Sequence, residues 1–322
     1  MTVSVAMASY RGKRFIAEQL HSIVTQSKPP SEVVVFDDVS DDGTIDVVKK
    51  YASESKIPII PCLQTENRGV NGNFESAIKT ATGDIVFLSD QDDVWYPHKI
   101  SRIVDAFDRD PQVGLVFSDA DLVDENLNPM GRTLWQSIRF TQAQREQIRS
   151  PHAFELLLRR FLVTGATLAF RRSLVDLVLP ISRHLIHDAW IALAIAAVSK
   201  IQCIDEPLIQ YRQHARQQIG DRDSWRSWHT QWRAAKNMSP NYFDRQRLFF
   251  CDLANRLNDH RLPLVRPNLS ELAKQKAQHL ERRIHFRKKQ PGTLAGITRE
   301  YMTGEYSRFS FGWKSAAQDL FL

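Results

Sequence analysis

Three carboxylates within four residues, Asp90, Asp92 and Asp93, stand directly behind the apolar run Ile85–Leu88 in the stretch LSDQDDVW. A helix cap uses one carboxylate and leaves the others repelling each other. Hard divalent cations such as Mg2+ or Mn2+ take oxygen ligands, commonly one or two carboxylates plus the phosphates of a substrate. Negative charge gathered at a strand end therefore points to a metal site that holds a nucleotide diphosphate. Asp37 and Asp38 close an earlier strand-like run, and Asp119 and Asp121 a later one. Asp41 and Asp42 precede Gly43 and read as a turn and a helix start.

The elements that must carry these residues follow from periodicity. Val3–Ala8 reads as a strand, and 15–26 carries apolar residues at helical spacing until Pro29 and Pro30 stop it. The run EVVVF at 32–36 is a second strand, and 44–52 a second helix. A strand over 57–63, a helix over 72–80, a strand over 84–89, a helix over 98–107 and a strand over 113–117 continue the alternation. Residues 126–150 read as polar and irregular, 153–161 as helix, 161–170 as strand around Gly165, 189–198 as helix and 203–211 as a closing strand. Such alternation predicts an α/β domain, an open and mostly parallel sheet flanked by helices. Ligands of such sheets collect at the carboxyl ends of the strands, where the aspartates stand.

The 322 residues carry 43 Lys and Arg against 37 Asp and Glu, a net +6. That excess belongs to residues 221–322, with 19 basic against 10 acidic side chains, while the first 220 are slightly acidic at 24 against 27. The predicted organisation is a catalytic domain over 1–220 and a basic, aromatic-rich helical region over 221–322. Cys62, Cys203 and Cys251 show no paired spacing for zinc or a disulfide framework. With no run of bilayer-spanning length and no secretory leader, a cytoplasmic location is the expectation.

Val5–Tyr10 with the helix after it, Phe36–Thr44 (FDDVSDDGT), Asn67–Gly69, Asp90–Asp93 and His187–Asp188 occur in the order and rough spacing of family 2 inverting glycosyltransferases. The chain resembles that family over about residues 1–220. The resemblance implies a GT-A fold, a nucleotide-sugar donor and Mg2+ or Mn2+. The form DQDDVW and the later Tyr211–His214 (YRQH) resemble the bacterial branch rich in rhamnosyltransferases of surface polysaccharide assembly. On that pattern the donor is dTDP-rhamnose or otherwise a UDP-sugar, and the acceptor a polysaccharide or lipopolysaccharide, free or lipid-linked.

Position by position, the resemblance puts Ala8, Ser9, Tyr10 and Asp38 around the donor base, the aspartate accepting its N3–H. Arg68 would meet the base or diphosphate, or is a surface arginine in a turn. In the Asp-x-Asp spacing, the DXD motif, Asp90 with Gln91 would face the donor and Asp92 ligate the metal. Asp93 is extra, and expected to cap the helix beginning near Pro97. Trp95 either lines the donor pocket or belongs to the core. Asp188 matches the general base, with His187 in place of the usual acidic neighbour, and doubles as an N-cap of the helix over 189–198. His214 would reach the metal or the pyrophosphate, and Gly165 either lets backbone approach the acceptor or marks a strand bulge.

Two other readings share the acidic edge. A sugar-phosphate nucleotidyltransferase would need a Gly-rich triphosphate loop after the first strand, which 10–14 (YRGKR) imitates poorly. An inactive membrane-associated scaffold would be expected to have lost Asp92 and Asp188, and both are present. In the basic region Trp225, Trp228 and Trp232 share a helical face suited to packing. The cluster at 282–289 suits the cytoplasmic face of an anionic inner membrane. Nucleic acid is not expected as a partner, since no recognised binding module accompanies the charge.

Overall fold

The computed structural model describes residues 1–214, 240–259, 261–262, 266–289 and 291–321. The expected boundary near 220 and the tryptophans at 225, 228 and 232 lie outside the described residues.

Among the described residues nine strands form one sheet: β1 Val3–Ser9, β2 Glu32–Asp37, β3 Ile59–Leu63, β4 Ile85–Ser89, β5 Val94–Trp95, β6 Val113–Val123, β7 Pro129–Thr133, β8 Leu168–Arg171 and β9 Lys200–Arg212. Their order is β3-β2-β1-β4-β8-β6-β9-β5, with β7 added to β6. The first four are parallel, with helices α1 Ile16–Val24, α2 Thr44–Glu54 and α3 Gly69–Thr80 between them, and α4 Lys99–Arg109 leads into β6. Runs such as VVV in β2 and IVFL in β4 are buried because helices cover both faces.

The sheet departs from the expected parallel plan at β8, which runs antiparallel to both β4 and β6. Its register, Phe87 opposite Ala169 and Ile85 opposite Arg171, brings the residues before Leu168 to the edge where β4 ends. β9 pairs parallel to β6, and its far end pairs antiparallel with β5. Two chemistry-bearing segments are thereby laid beside the end of β4.

The stretch 126–150 is not irregular. It holds β7 and the helices α5 Leu134–Ser137 and α6 Gln142–Arg149, each opened by a capping box in which Thr133 pairs with Gln136 and Thr141 with Gln144. The T-x-x-Q spacing was the available signal. Asp119 and Asp121 do not end a strand, because β6 continues to Val123. Asp119 Oδ1 accepts from the backbone N–H of Ala120 (2.8 Å) and Trp135 (2.9 Å), and Asp121 Oδ2 from the Tyr96 hydroxyl (2.7 Å). Asp119 braces the β6–α5 corner, and Asp121 ties β6 to the residue after β5.

Past α7 Ala153–Arg159, a single 3-10 turn at Gly165–Thr167 replaces the expected strand character and leads into β8. α8 Val175–Val178 precedes α9 His187–Ala196, in which all ten residues are buried. A helix apolar on every side belongs in the middle of a protein. The C-terminal helices are α10 Pro240–Leu257, α11 Leu269–Arg287, α12 Thr293–Met302, α13 Glu305–Phe309 and α14 Trp313–Phe321. Phe249 of α10 meets Trp190 of α9 edge-on at 5.8 Å and Phe161 at 6.1 Å, so one apolar core runs from the sheet into the basic region.

Asn73 of α3 is buried and donates from Nδ2 to the carbonyls of Phe36 (2.8 Å) and Ser9 (3.2 Å), tying together the ends of β2 and β1. Asn73→Ala leaves both carbonyls without that donor. The expected loss is about 1–3 kcal/mol of stability in urea unfolding.

Candidate active site

The parallel strands β2, β1 and β4 deliver Asp37, Ser9 and Ser89 to one edge, with Ser9 opposite Asp37 in register. Asp37 is fully buried and accepts from Ser9 Oγ (2.9 Å), Ser40 N (2.8 Å) and Ser40 Oγ (2.7 Å). That network holds the turn in which Val39 takes φ 61°, a conformation branched residues rarely adopt. Asp38 follows with both oxygens engaged, receiving Arg68 N–H at 2.7 Å and Gly69 N–H at 2.9 Å. It closes the amino end of α3 from across the edge, and a second lone pair on each oxygen remains for a ligand.

The Arg68 guanidinium does not reach toward the edge. It donates to Ser76 Oγ (2.9 Å) on its own helix and is exposed, the surface alternative of the sequence reading. Gln91 is also redirected, because its amide accepts from Tyr10 N–H (2.8 Å) and donates to Tyr10 O (2.9 Å). The side chain expected to face the donor instead fixes the backbone of Tyr10 against the acidic loop. A Cβ on Gly12 would fall 2.0 Å from Gln91 Oε1, so glycine there makes room for the clamp.

Trp95 belongs to the core: it is 2% exposed, lies 5.8 Å from the Phe87 ring and covers the Lys99 ammonium at 3.7 Å. Lys99 went unnoticed in the sequence reading. It sits on the apolar stripe of α4 with Ile100, Ile103, Val104 and Phe107, an anomaly of position that could have flagged it. Its Nζ donates to Ala166 O at 2.7 Å, and burial pushes its pKa down to about 7 against the pull of Asp93 and Asp90.

The three loop carboxylates differ in surroundings. Burial, with Asp92 and Asp188 nearby, raises the half-buried Asp90 to about 7. Asp92 is 8% exposed, and its Oδ2 lies 2.8 Å from His214 Nε2. Asp93 caps no helix. It is fully buried, accepts Arg212 N–H at 3.1 Å on Oδ1, and leaves Oδ2 without a hydrogen-bond partner. Burial and the neighbouring Asp92 and Asp90 hold its pKa well above the carboxylate range. Arg212 donates from Nε to Asp92 O (2.6 Å), and its guanidinium lies over Phe15 at 4.6 Å. The end of β9 is thus stitched to the acidic loop, and Tyr211 feels all of its carboxylates.

Asp188 comes to the same edge from α9. It occupies the first turn without capping the helix, accepting Ala189 N–H at 2.6 Å and Gly165 N–H at 3.2 Å. Burial raises its pKa to about 7. Its neighbour His187 stacks on Phe74 at 4.2 Å, neither ring nitrogen has a hydrogen-bond partner, and burial drives its pKa down to about 3.

A domain model described as glycosyl transferase family 2 matches residues 4–176. The chain belongs to this family. An uncharacterised glycosyltransferase of Nostoc sp. is 31% identical over 66% of this chain and 65% of its own length. The dTDP-rhamnosyl transferase RfbG of Shigella flexneri is 27% identical over 69% of the chain and 76% of its own. The matched stretch thus spans under two thirds of the first of these relatives. Two solved structures share the fold. TarS 1–349 of S. aureus, in complex with UDP-GlcNAc, has TM-score 0.57 at 20% identity over 89% of this chain and 73% of that one. The mannosyltransferase PcManGT of Pyrobaculum calidifontis, in complex with GDP-Man and Mn2+, has 0.55 at 20% identity over 94% and 75%. The fold is that of GT-A glycosyltransferases, and the nucleotidyltransferase alternative gives way to the family assignment.

In this family-2 chain the donor set fits a divalent cation. Asp92 Oδ2 and His214 Nε2 lie side by side, and Asp93, next in sequence to Asp92, keeps a buried oxygen without a hydrogen-bond partner. Two protein ligands leave the remaining positions to phosphate oxygens and water, the usual arrangement for Mg2+. Among the described residues the trio of ligand atoms lying within 4.8 Å of one another is His279, Glu300 and Glu305. Arg282 already bridges Glu300 and Glu305, so that trio reads as an ion-pair network.

Gly165 neither bulges a strand nor stands free. A Cβ there would fall 2.5 Å from His187 Nε2. Gly165→Ala is expected to displace the turn that holds Asp188 and to lower the turnover rate about tenfold or more. Donor affinity by calorimetry should fall by less than the turnover rate, since the same turn reaches the acidic loop only through the Lys99 contact with Ala166 O.

Proposed function

We propose that this chain transfers a sugar from a nucleotide donor to a hydroxyl of a bacterial glycan, with inversion at the anomeric carbon. The observation that carries the reading is the meeting of Asp188 with Asp90, Asp92 and His214 at the carboxyl edge of a family-2 sheet. The likeness to RfbG favours dTDP-rhamnose as donor, with a UDP-sugar next. The resemblance of DQDDVW and YRQH to the surface-polysaccharide branch favours a polysaccharide or lipopolysaccharide acceptor.

The donor base lies against Ser9, Tyr10 and Asp38, whose carboxylate is already fixed by two backbone donors. Gln91 acts as a positioning residue that locks Tyr10 to the acidic loop. Asp92 and His214 hold Mg2+ or Mn2+, which when bound offsets the charge growing on the departing diphosphate. Asp90 faces the donor sugar.

Asp188 is the base. Backbone N–H groups and the positive end of α9 favour its ionised form, burial opposes it, and the balance near 7 leaves a carboxylate able to take a proton. As the acceptor oxygen bonds to the anomeric carbon, its proton passes to Asp188. The electron pair of the breaking glycosidic C–O bond leaves with the diphosphate. His187, held neutral and pressed between Phe74 and Gly165, shapes this wall without competing for the proton.

Asp188→Asn should lower transfer about 10²–10⁴-fold with donor binding retained. A variant that still transfers at the parental rate would sink the base assignment. Asp92→Ala and His214→Ala should each weaken Mn2+-dependent binding of the nucleoside diphosphate in calorimetry. Because Asp188 must be deprotonated to act and its pKa is raised to about 7, kcat/KM should rise as pH climbs through that value and level off above it.

A further inference from the structure

Eleven large apolar side chains stand exposed among the described residues, and seven of them fall within 294–321. On α12 they are Leu294, Tyr301 and Met302, and on α14 Trp313, Leu320 and Phe321. Both triplets have the spacing i, i+7, i+8, which places each on one helical stripe. In both helices the positions i+3 and i+6 are buried instead: Ile297 and Glu300 on α12, Ala316 and Asp319 on α14. The two helices pack against each other, so the stripes are neighbours.

These stripes are not the loose side of a poorly docked segment. Beneath them Phe286, Ile297, Tyr306 and Ala316 form a small core of their own. Asp319 accepts from Arg283 at 2.6 and 3.0 Å, from Arg287 at 3.0 Å and from the Tyr306 hydroxyl at 2.9 Å. The same network divides the basic cluster at 282–289: Arg282, Arg283 and Arg287 pair with Glu300, Glu305 and Asp319, while Lys288 and Lys289 stay exposed.

That pairing fixes the sign of what is left outside. Glu300, Glu305 and Asp319 are the acidic residues of 282–321, and each is held by an arginine. Lys288, Lys289, Arg299, Arg308 and Lys314 face solvent, with Arg308 over the Phe309 ring at 5.2 Å and Lys314 over Trp313 at 6.0 Å. Among the described residues of 282–321 the exposed charges beside the apolar stripes are cations, which match the boundary of an anionic bilayer, where apolar side chains enter the acyl region and cations meet headgroup phosphates. Isologous contact with a second copy would instead set this positive surface against itself. Among the described residues no helix is long and apolar enough to cross a membrane, so the contact is one of lying on the surface.

We infer that α12 and α14 form a docking surface for anionic lipid, with Leu294, Met302, Trp313 and Phe321 inserting and Lys288, Lys289 and Lys314 binding headgroups. The whole chain is tested by flotation with phosphatidylglycerol-containing vesicles and with pure phosphatidylcholine vesicles, without donor or acceptor, so the result is independent of sugar transfer. Binding is expected to the first and to be lost at molar salt. The triple variant Met302→Ser, Trp313→Ser, Phe321→Ser and the triple variant Lys288→Glu, Lys289→Glu, Lys314→Glu should each cut vesicle partitioning about tenfold or more, since each surface cation alone is worth about fivefold. Both should keep the parental melting temperature, because the altered side chains are exposed. The inference is overturned if the parent ignores phosphatidylglycerol, or if both variants float as well as the parent. Light scattering that shows a dimer dispersed by the serine variant would overturn it too, by placing a second copy on this face.

Discussion

Carboxylates converging in a desolvated corner are the constraint around which this molecule is arranged. Asp90, Asp93 and Asp188 are each driven by burial toward the protonated form, and Asp92 adds its charge to Asp90 and Asp93. A fold built for stability alone would not collect them, because each buried charge costs free energy unless it is compensated. Compensation is visible on every side. The Lys99 ammonium stands beneath, the Arg212 backbone N–H caps Asp93, His214 meets Asp92, and two backbone N–H groups hold Asp188. A divalent cation with a donor diphosphate completes that compensation under the proposed function.

The insertion of β8 antiparallel between β4 and β6 makes the convergence possible. Were β8 parallel, the chain before it would start at the opposite edge, and the turn at Gly165–Thr167 would lie far from Asp188. With the observed register, Gly165 N–H reaches Asp188 while the next carbonyl, Ala166 O, takes the Lys99 ammonium. One turn therefore joins the wall bearing the candidate base to the helix behind the acidic loop. The pairing of β5 with the end of β9 does the same on the other side, placing Arg212 and His214 against Asp92 and Asp93.

The C-terminal helices answer to two demands. α10 completes the core with Phe249 and Phe250, so it belongs to the catalytic body as much as to the basic region. α12 to α14 turn their acids inward onto the arginines of α11 and keep large apolar side chains outward, while in α11 Glu271 and Glu281 are exposed and Lys276 is buried. Excess charge in this region is a surface property, whereas the internal pairs are balanced. Net charge in the sequence reported the first and could not separate it from the second.

The sequence by itself determined the alternation of strands and helices through 117, the acidic edge and the order of the motifs, because periodicity and strand-end carboxylates are local properties. Asp92 was legible on those grounds, Asp188 and His214 only through the resemblance to family 2, and the structure brings the three to one edge. Tertiary structure alone decided which neighbours compete for each side chain. Gln91 was claimed by the Tyr10 backbone, Arg68 by Ser76, Trp95 by Phe87 and Lys99, and Asp93 by burial beside Arg212. Lys99 and the direction of β8 depend on contacts between residues some seventy apart, such as Lys99 with Ala166. No local pattern encodes such a meeting, because it exists only once the sheet has closed around it.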